Sequence, residues 1–192
     1  LMHLNKYYFI NKFDQNHIKK LNKDISIIYR NYSSNINIDY LIKIRDFCKK
    51  NKRKFYLSNN VKLALKTNLD GAYLPSFNKD IRHLNYNIKK DFLFIGSAHN
   101  LKEIRIKEHQ KVSQIFISSI FKEEKNYLGF YKFINLSKLS RSKIIALGGI
   151  NKKNLKRIPL LKIYGYAGIG IFNWHKKKAP ISRGLKFILI YF

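Results

Sequence analysis

The chain of 192 residues has few acidic side chains, one cysteine and three prolines. It carries 11 Asp and Glu against 39 Lys and Arg, which leaves little material for the carboxylate clusters that hard cations such as Mg²⁺ require. The single cysteine, Cys48, excludes an internal disulfide framework. No stretch rich in Pro, Gly and Ser interrupts the chain, so we expect residues 1–192 to form one domain.

Long apolar segments are also missing, since no run approaches the roughly 20 residues of a membrane helix. The N-terminal segment LMHLNKYYFINK lacks the apolar core of a signal peptide, so we expect a cytoplasmic protein with no membrane partner. The net charge of +28 alone would indicate nucleic acid as a partner. Lysines are spread through the whole chain, however, which favours a compositional bias over a nucleic-acid surface. The sequence leaves open whether the protein forms a homo-oligomer.

Apolar and β-branched runs alternate with segments of helical periodicity along the whole chain. The apolar runs are continuous, as is typical of parallel strands that are buried on both faces. Eight β/α units predict an α/β protein with a single (β/α)8 TIM barrel. The predicted strands are Tyr7–Ile10, Ile25–Arg30, Lys54–Ser58, Gly71–Leu74, Phe92–Ser97, Gln114–Ile120, Lys143–Leu147 and Tyr164–Phe172.

The segments between these strands carry apolar residues at helical spacing. Pro159 is expected to shorten the last helix to about Ile158, because proline lacks an N–H and clashes with the preceding turn. The predicted helices are Ile38–Lys50, Asn60–Asn68, Leu101–Lys111, Leu128–Leu139 and Asn151–Leu161.

Glycines end both of the last two predicted strands, in the sequences GGI from Gly148 and GIG from Gly168. Glycine lets backbone N–H groups approach an anion, and barrels commonly hold phosphate in the loops after strands seven and eight. The pattern indicates a phosphorylated small molecule as the ligand. The alternative is that these glycines only form tight turns.

Two further strand ends carry residues that could bind a ligand or take part in catalysis. Arg30 follows the run ISIIY, where its guanidinium would enter the barrel mouth and bind a phosphate or carboxylate, unless it forms a salt bridge at the rim. His99 follows Ser97 and Ala98 at the end of strand five, where an imidazole could transfer protons. The alternative for His99 is a structural residue at the start of the next helix.

The segments IIALGGI from Ile144 and GYAGIGIFN from Gly165, the turn SAH from Ser97, and VKLALKTNLDGAYL from Val61 keep a recognisable order and spacing. Together they resemble the thiamin phosphate synthase and TenI group of (β/α)8 barrels, over about residues 25–173. Arg30 matches the arginine of the QLREK motif of that group. The resemblance implies a thiamin-pathway protein whose ligand is a thiazole phosphate.

The resemblance also implies positions for a pyrophosphate and its magnesium. The magnesium aspartates of the group fall at Asn59 and Asn78. The arginine of its NDR motif falls at Asn60, and the lysine of QLREK falls at Tyr32. Lys125 lies one position from the expected pyrophosphate lysine. Neutral amides supply no carboxylate charge, so we expect no metal site, with magnesium needed only if synthase activity is retained. Arg30, Asn59 and Lys125 are the implied pyrophosphate-binding residues.

The positions that the resemblance implies for binding thiazole phosphate are better preserved than those implied for the pyrophosphate. The implied phosphate-binding residues are Ser97, Gly148, Gly149, Phe172 and Asn173. The histidine of the TenI branch falls at His99, which makes His99 and Arg30 the candidate catalytic residues. Three hypotheses follow. An aminothiazole tautomerase is preferred, a synthase with a remodelled site is the first alternative, and a non-catalytic barrel that binds a phosphorylated ligand or a partner is the second.

Overall fold

Eight parallel strands close into a barrel in the computed structural model, which describes residues 4–32, 35–123 and 125–172. Each strand pairs in parallel with the next one along the chain, and the last pairs with the first. The predicted (β/α)8 barrel is therefore confirmed. The strands are β1 Asn5–Ile10, β2 Ile25–Tyr29, β3 Phe55–Ser58, β4 Gly71–Leu74, β5 Leu93–Ala98, β6 Gln114–Ile117, β7 Lys143–Leu147 and β8 Gly165–Gly168.

Helices connect the strands on the outside of the barrel. Four of them begin after an Asp or Asn whose side chain accepts the backbone N–H three residues ahead, which satisfies one of the free donors of the first turn. The helices are α1 Gln15–Lys19, α2 Ile38–Lys50, α3 Val61–Lys66, α4 Leu101–His109 and α5 Gly129–Lys138, with 3₁₀ segments at Arg82–Asn85 and Leu155–Leu161.

The chain departs from the predicted elements near its end. The predicted strand Tyr164–Phe172 stops at Gly168, and the residues that follow form a turn, because an apolar run indicates burial without distinguishing a strand from a buried turn. Pro159 lies inside a 3₁₀ segment that continues to Leu161, so it does not end the segment at Ile158. Tight 3₁₀ turns replace the predicted α-helix around this residue, which lacks an N–H.

The barrel interior is filled by side chains that point inward from alternate strand positions. Tyr7 lies edge-to-face against Phe116 at 5.0 Å, and its hydroxyl donates to Gln114 Oε1 at 2.5 Å. Phe9 lies edge-to-face against Tyr73 at 5.2 Å. These rings close the interior, so a ligand can enter only at the ends of the barrel. The interior cluster contains Tyr7, Phe9, Ile28, Tyr56, Tyr73, Ile95, Phe116, Ile145 and Ala167.

A second apolar cluster fills the space between the barrel and the helices, with Leu41, Ile44 and Cys48 of α2 fully buried. Burial raises the pKa of the Cys48 thiol to about 12, which fits a packing role for this cysteine. Among the described residues, no helix is long and apolar enough to cross a membrane.

We expect Gly71→Ala to lower the free energy of unfolding by about 1–3 kcal/mol. A Cβ at this position would overlap the Leu93 carbonyl oxygen of the neighbouring strand and lie 2.8 Å from the Tyr56 ring. Urea denaturation followed by circular dichroism measures the change. Gly170→Ala is the matched control, because nothing lies within 4 Å of its added Cβ. Equal stability of the two variants would contradict the packing described for Gly71.

Candidate active site at the barrel mouth

A cavity of about 520 Å³ opens at the carboxyl ends of the strands. Phe9 and Tyr73, from the barrel interior, contribute to its lining. Its other sides come from the loops after β2, β6, β7 and β8, which are distant in sequence and meet because the barrel is closed. The remaining lining residues are Arg30, Tyr32, Ser118, Lys122, Leu147, Gly148, Gly149, Ile150, Asn151, Gly168, Ile169 and Gly170.

The glycine turn after β7 adopts left-handed backbone, with φ of +100° at Gly148 and +72° at Gly149. A Cβ on Gly148 would overlap Ser119, and one on Gly149 would lie 2.5 Å from the backbone nitrogen of Lys122. These glycines therefore admit the loop after β6, which is a packing reason for their presence. Gly170 in the following turn has open space around it instead.

Two backbone N–H groups of the glycine turns are available to a ligand. Within residues 4–32, 35–123 and 125–172, no acceptor takes the N–H groups of Gly149 or Gly170. Phe172 differs, because its N–H donates to the Ile169 carbonyl at 3.1 Å and its ring stacks on Tyr166. The backbone N–H of Phe172 thus stabilises the turn. Asn173 lies outside the described residues.

Arg30 lies on the cavity wall, as the sequence predicts. Its backbone N–H donates to the Ile10 carbonyl at 2.8 Å, and its Nε donates to Asn11 Oδ1 at 3.0 Å. No carboxylate of the described residues forms an ion pair with it, so the alternative of a rim salt bridge is not realised there. A guanidinium held through Nε can still present its outer N–H groups to an anion.

Lys122, which the sequence analysis did not select, is the lysine that lines the cavity. Its backbone N–H lies 3.3 Å from Ser119 Oγ, which donates to the Lys122 carbonyl at 2.9 Å, and this pair fixes the loop after β6. Lys125 is exposed and is not among the lining residues. The two lysines are three residues apart in the loop after β6, and the path of this loop places only Lys122 among the lining residues.

His99 and Ser97 lie beside the cavity without lining it. The backbone N–H of His99 donates to Glu103 Oε2 at 2.8 Å, and its ring Nδ1 is 2.9 Å from the same oxygen. These contacts tie His99 to the first turn of α4 through its backbone and Nδ1, and they are compatible with both the catalytic and the structural interpretation. Ser97 is buried and hydrogen-bonds the hydroxyl of Tyr73, through which it reaches the cavity floor.

The two positions implied for magnesium ligands face each other. Asn78 Nδ2 donates to Asn59 Oδ1 at 2.7 Å, and Asn78 Oδ1 accepts the backbone N–H of Asp80 at 2.9 Å. The nearby Asp80 is engaged by Arg82, whose hydrogen bonds lower the pKa of that carboxyl to about 2. In the described part of the chain, no three His, Cys, Asp or Glu residues are grouped to hold a metal. The donors present therefore do not fit a magnesium ion held by the protein.

A buried lysine holds the backbone of the loop that contains Asn78. Lys107 of α4 is fully buried, and its Nζ donates to the Asn78 carbonyl at 2.7 Å and to Gln110 Oε1 at 2.8 Å. Gln110 Nε2 donates to the Asp80 carbonyl at 2.8 Å, and the Gln110 carbonyl contacts the ring of His83 at 2.9 Å. Desolvation lowers the pKa of Lys107 to about 8, although Glu103 opposes the shift.

A closed parallel barrel defines a TIM-barrel protein, and its cavity lies at the carboxyl ends of the strands, where such barrels usually have their sites. The family described as thiamine monophosphate synthase matches residues 22–171, and the chain belongs to that family. The resemblance seen in the sequence and the thiamin-related barrel are thereby confirmed. The implied site residues stay predictions.

Individual relatives carry the same description. The thiamine-phosphate synthase of Pelagibacter ubique is 26% identical over 182 residues, which is 91% of this chain and 87% of that protein. The one from Hydrogenobaculum sp. is 25% identical over 143 residues, or 72% and 67% of the two chains. The structure of thiamine phosphate pyrophosphorylase from Pyrococcus furiosus shares the fold, with a TM-score of 0.68, 18% identity and coverage of 86% and 85%. These similarities give no specific support to the preferred tautomerase.

The lowered pKa of Lys107 predicts a rise in stability at alkaline pH. Above pH 8 the folded lysine loses its proton while the unfolded one, with a pKa near 10.5, keeps it, so deprotonation favours the folded state. Between about pH 8 and 10, wild type should gain up to about 1.4 kcal/mol per pH unit relative to Lys107→Met. Urea denaturation across this range measures the difference. A pH-independent difference would contradict the assignment, and Lys107→Gln serves if the methionine variant does not fold.

The amide pair predicts how divalent cations bind. Without a ligand, wild type should show no saturable Mg²⁺ binding in isothermal titration calorimetry, whereas Asn59→Asp/Asn78→Asp should gain it, because two facing carboxylates supply the missing charge. Asn22→Asp/Asn87→Asp adds the same charge at two exposed positions and should behave as wild type. Binding of Mg²⁺ to wild type as tight as to the first double variant would show that the amides suffice.

Proposed function

We propose that this chain is a thiamin phosphate synthase, like the relatives that carry this name, and that it condenses hydroxymethylpyrimidine pyrophosphate with thiazole phosphate, as the family resemblance implies. The observation that carries the proposal is the pairing of Arg30 and Lys122 with the two glycine turns around one cavity. Cations and unpaired N–H groups there suit a pair of phosphorylated substrates better than a single small phosphate. The tautomerase hypothesis loses ground, because His99 does not line this cavity.

The chemistry requires stabilisation of a departing anion. In the condensation, the carbon–oxygen bond to the pyrophosphate breaks, the oxygen leaves with the electron pair, and a new bond joins the pyrimidine methylene carbon to the thiazole nitrogen. Charge develops on the pyrophosphate, so fixed positive groups near it lower the barrier. We assign this role to Arg30 and Lys122. The thiazole phosphate is assigned to the N–H groups of Gly149 and Gly170.

The absence of carboxylates at Asn59 and Asn78 defines the second candidate function. A barrel that has lost its chemistry could still bind thiazole phosphate in the glycine turns. The amide pair favours this candidate, because it replaces the charged ligands implied for magnesium with neutral groups that are already hydrogen-bonded. The two candidates differ in turnover and share ligand binding.

Product formation tests the proposal. The purified full chain, given both substrates and magnesium, should form thiamin phosphate, and Arg30→Ala and Lys122→Ala should each lower kcat/KM by about 100-fold, the cost of removing one group that stabilises developing charge. Lys125→Ala and the exposed Lys132→Ala should change it by less than about threefold. A larger loss from Lys125→Ala than from Lys122→Ala would instead favour the assignment made from the sequence.

The same preparation separates the alternatives. If no thiamin phosphate forms but thiazole phosphate raises the Tm, the chain is a binding barrel. If an aminothiazole substrate is isomerised and His99→Ala abolishes that reaction, the tautomerase is correct. A Tm that no thiazole or pyrimidine phosphate raises, together with no turnover, would contradict all three hypotheses.

A further inference from the structure

Two exposed aromatic rings meet beside the cavity, which Tyr32 lines and Phe77 does not. Tyr32 follows β2 and Phe77 follows β4, and their rings lie edge-to-face with centroids 5.4 Å apart and planes at 79°. Tyr32 is 49% exposed and Phe77 is 61% exposed, although large apolar side chains gain free energy when they are buried. An edge-to-face contact leaves at least one ring face uncovered, so the pair offers an aromatic surface at the mouth.

The aromatic surface adjoins the anion-binding part of the cavity. Tyr32 lines the cavity together with Arg30 and the two glycine turns, and Phe77 directly precedes Asn78 of the amide pair. A ligand whose charge lies against Arg30 therefore has its uncharged part within reach of Tyr32. Burial raises the pKa of the Tyr32 hydroxyl and Arg30 opposes that shift, so the residue is neutral at pH 7.

The composition of the pair decides the class of group that it can hold. The two rings carry no charge, and only the Tyr32 hydroxyl can donate a hydrogen bond to a phosphate, so the basic side chains are the stronger attraction for that group. A flat heteroaromatic ring, in contrast, can stack on an uncovered aromatic face. Tyr32 also stands where the resemblance places a lysine, so this chain presents an aromatic surface at a position where a cation is expected.

We propose that Tyr32 and Phe77 form the platform on which the pyrimidine ring of the pyrophosphate substrate stacks, and that they set the selectivity for a ring-bearing pyrophosphate over pyrophosphate alone. This inference rests on the proposed condensation, because that reaction supplies a substrate that carries both groups. Arg30 and Lys122 then hold the charged end, and the aromatic pair holds the other. Tyr32 and Phe77 are specificity residues in this arrangement.

Equilibrium binding in the absence of thiazole phosphate tests the platform. Isothermal titration calorimetry compares hydroxymethylpyrimidine pyrophosphate with inorganic pyrophosphate in one magnesium-containing buffer. Wild type should bind the ring-bearing compound at least about tenfold more tightly, and Tyr32→Ala should remove most of that preference. Phe77→Leu should reduce the preference about threefold, whereas Tyr32→Phe should keep it. Tyr131→Ala, which removes a ring that is 82% exposed on α5, is the matched control.

Inorganic pyrophosphate makes the outcomes distinguishable. Its affinity should stay within about twofold in every aromatic variant, which also shows that each variant is folded. If wild type prefers the ring-bearing compound and Tyr32→Ala and Phe77→Leu both keep that preference, the platform is wrong while the proposed function stands. If wild type binds neither compound, the proposed function fails and the platform fails with it. Equal affinity of wild type for the two compounds overturns the platform alone.

Discussion

The pairing of β8 with β1 is the constraint on which the site depends. Asn5 pairs with Gly165 across this seam, and a side chain on Gly165 would overlap the Asn5 carbonyl. Because the seam closes, the glycine turn after the last strand comes to the same cavity as Arg30, which follows the second strand. An open sheet with the same strands would keep these groups at opposite edges.

The positive charge of the mouth and the positions implied for metal ligands lie on different residues. Arg30 and Lys122 supply positive charge. The positions of the implied metal ligands are occupied by two amides that one hydrogen bond joins. The buried Lys107 holds the backbone of the same loop, so a cation supports the amides from within the protein. The mouth thus holds neutral amides at the places where the family resemblance implied carboxylates, and its positive charge lies at other positions.

Much of the fold could be predicted from the sequence, and less of the site. Continuous apolar runs report burial, which is why eight strands and the helix Ile38–Lys50 were identified correctly. The run that ends in Phe172 was overextended, since a turn packed on the core is equally apolar. Lys122 escaped notice because the path of a loop decides which of two nearby exposed lysines lines the cavity, and residue type carries no information on that path. Lys107 looked like any lysine of a helix in so basic a chain, because its burial depends on the space that Gly96 leaves.

The contact between the Gly148–Gly149 turn and the loop that holds Lys122 has a consequence for binding. A Cβ on either glycine would overlap the loop, so the two segments are in close contact, and Phe121 N–H donates to the Gly148 carbonyl at 3.0 Å across that contact. The glycine donors and the loop that carries the lysine therefore support each other's position. An anion that binds between them loses its own freedom of motion, whereas the backbone around it loses little conformational entropy.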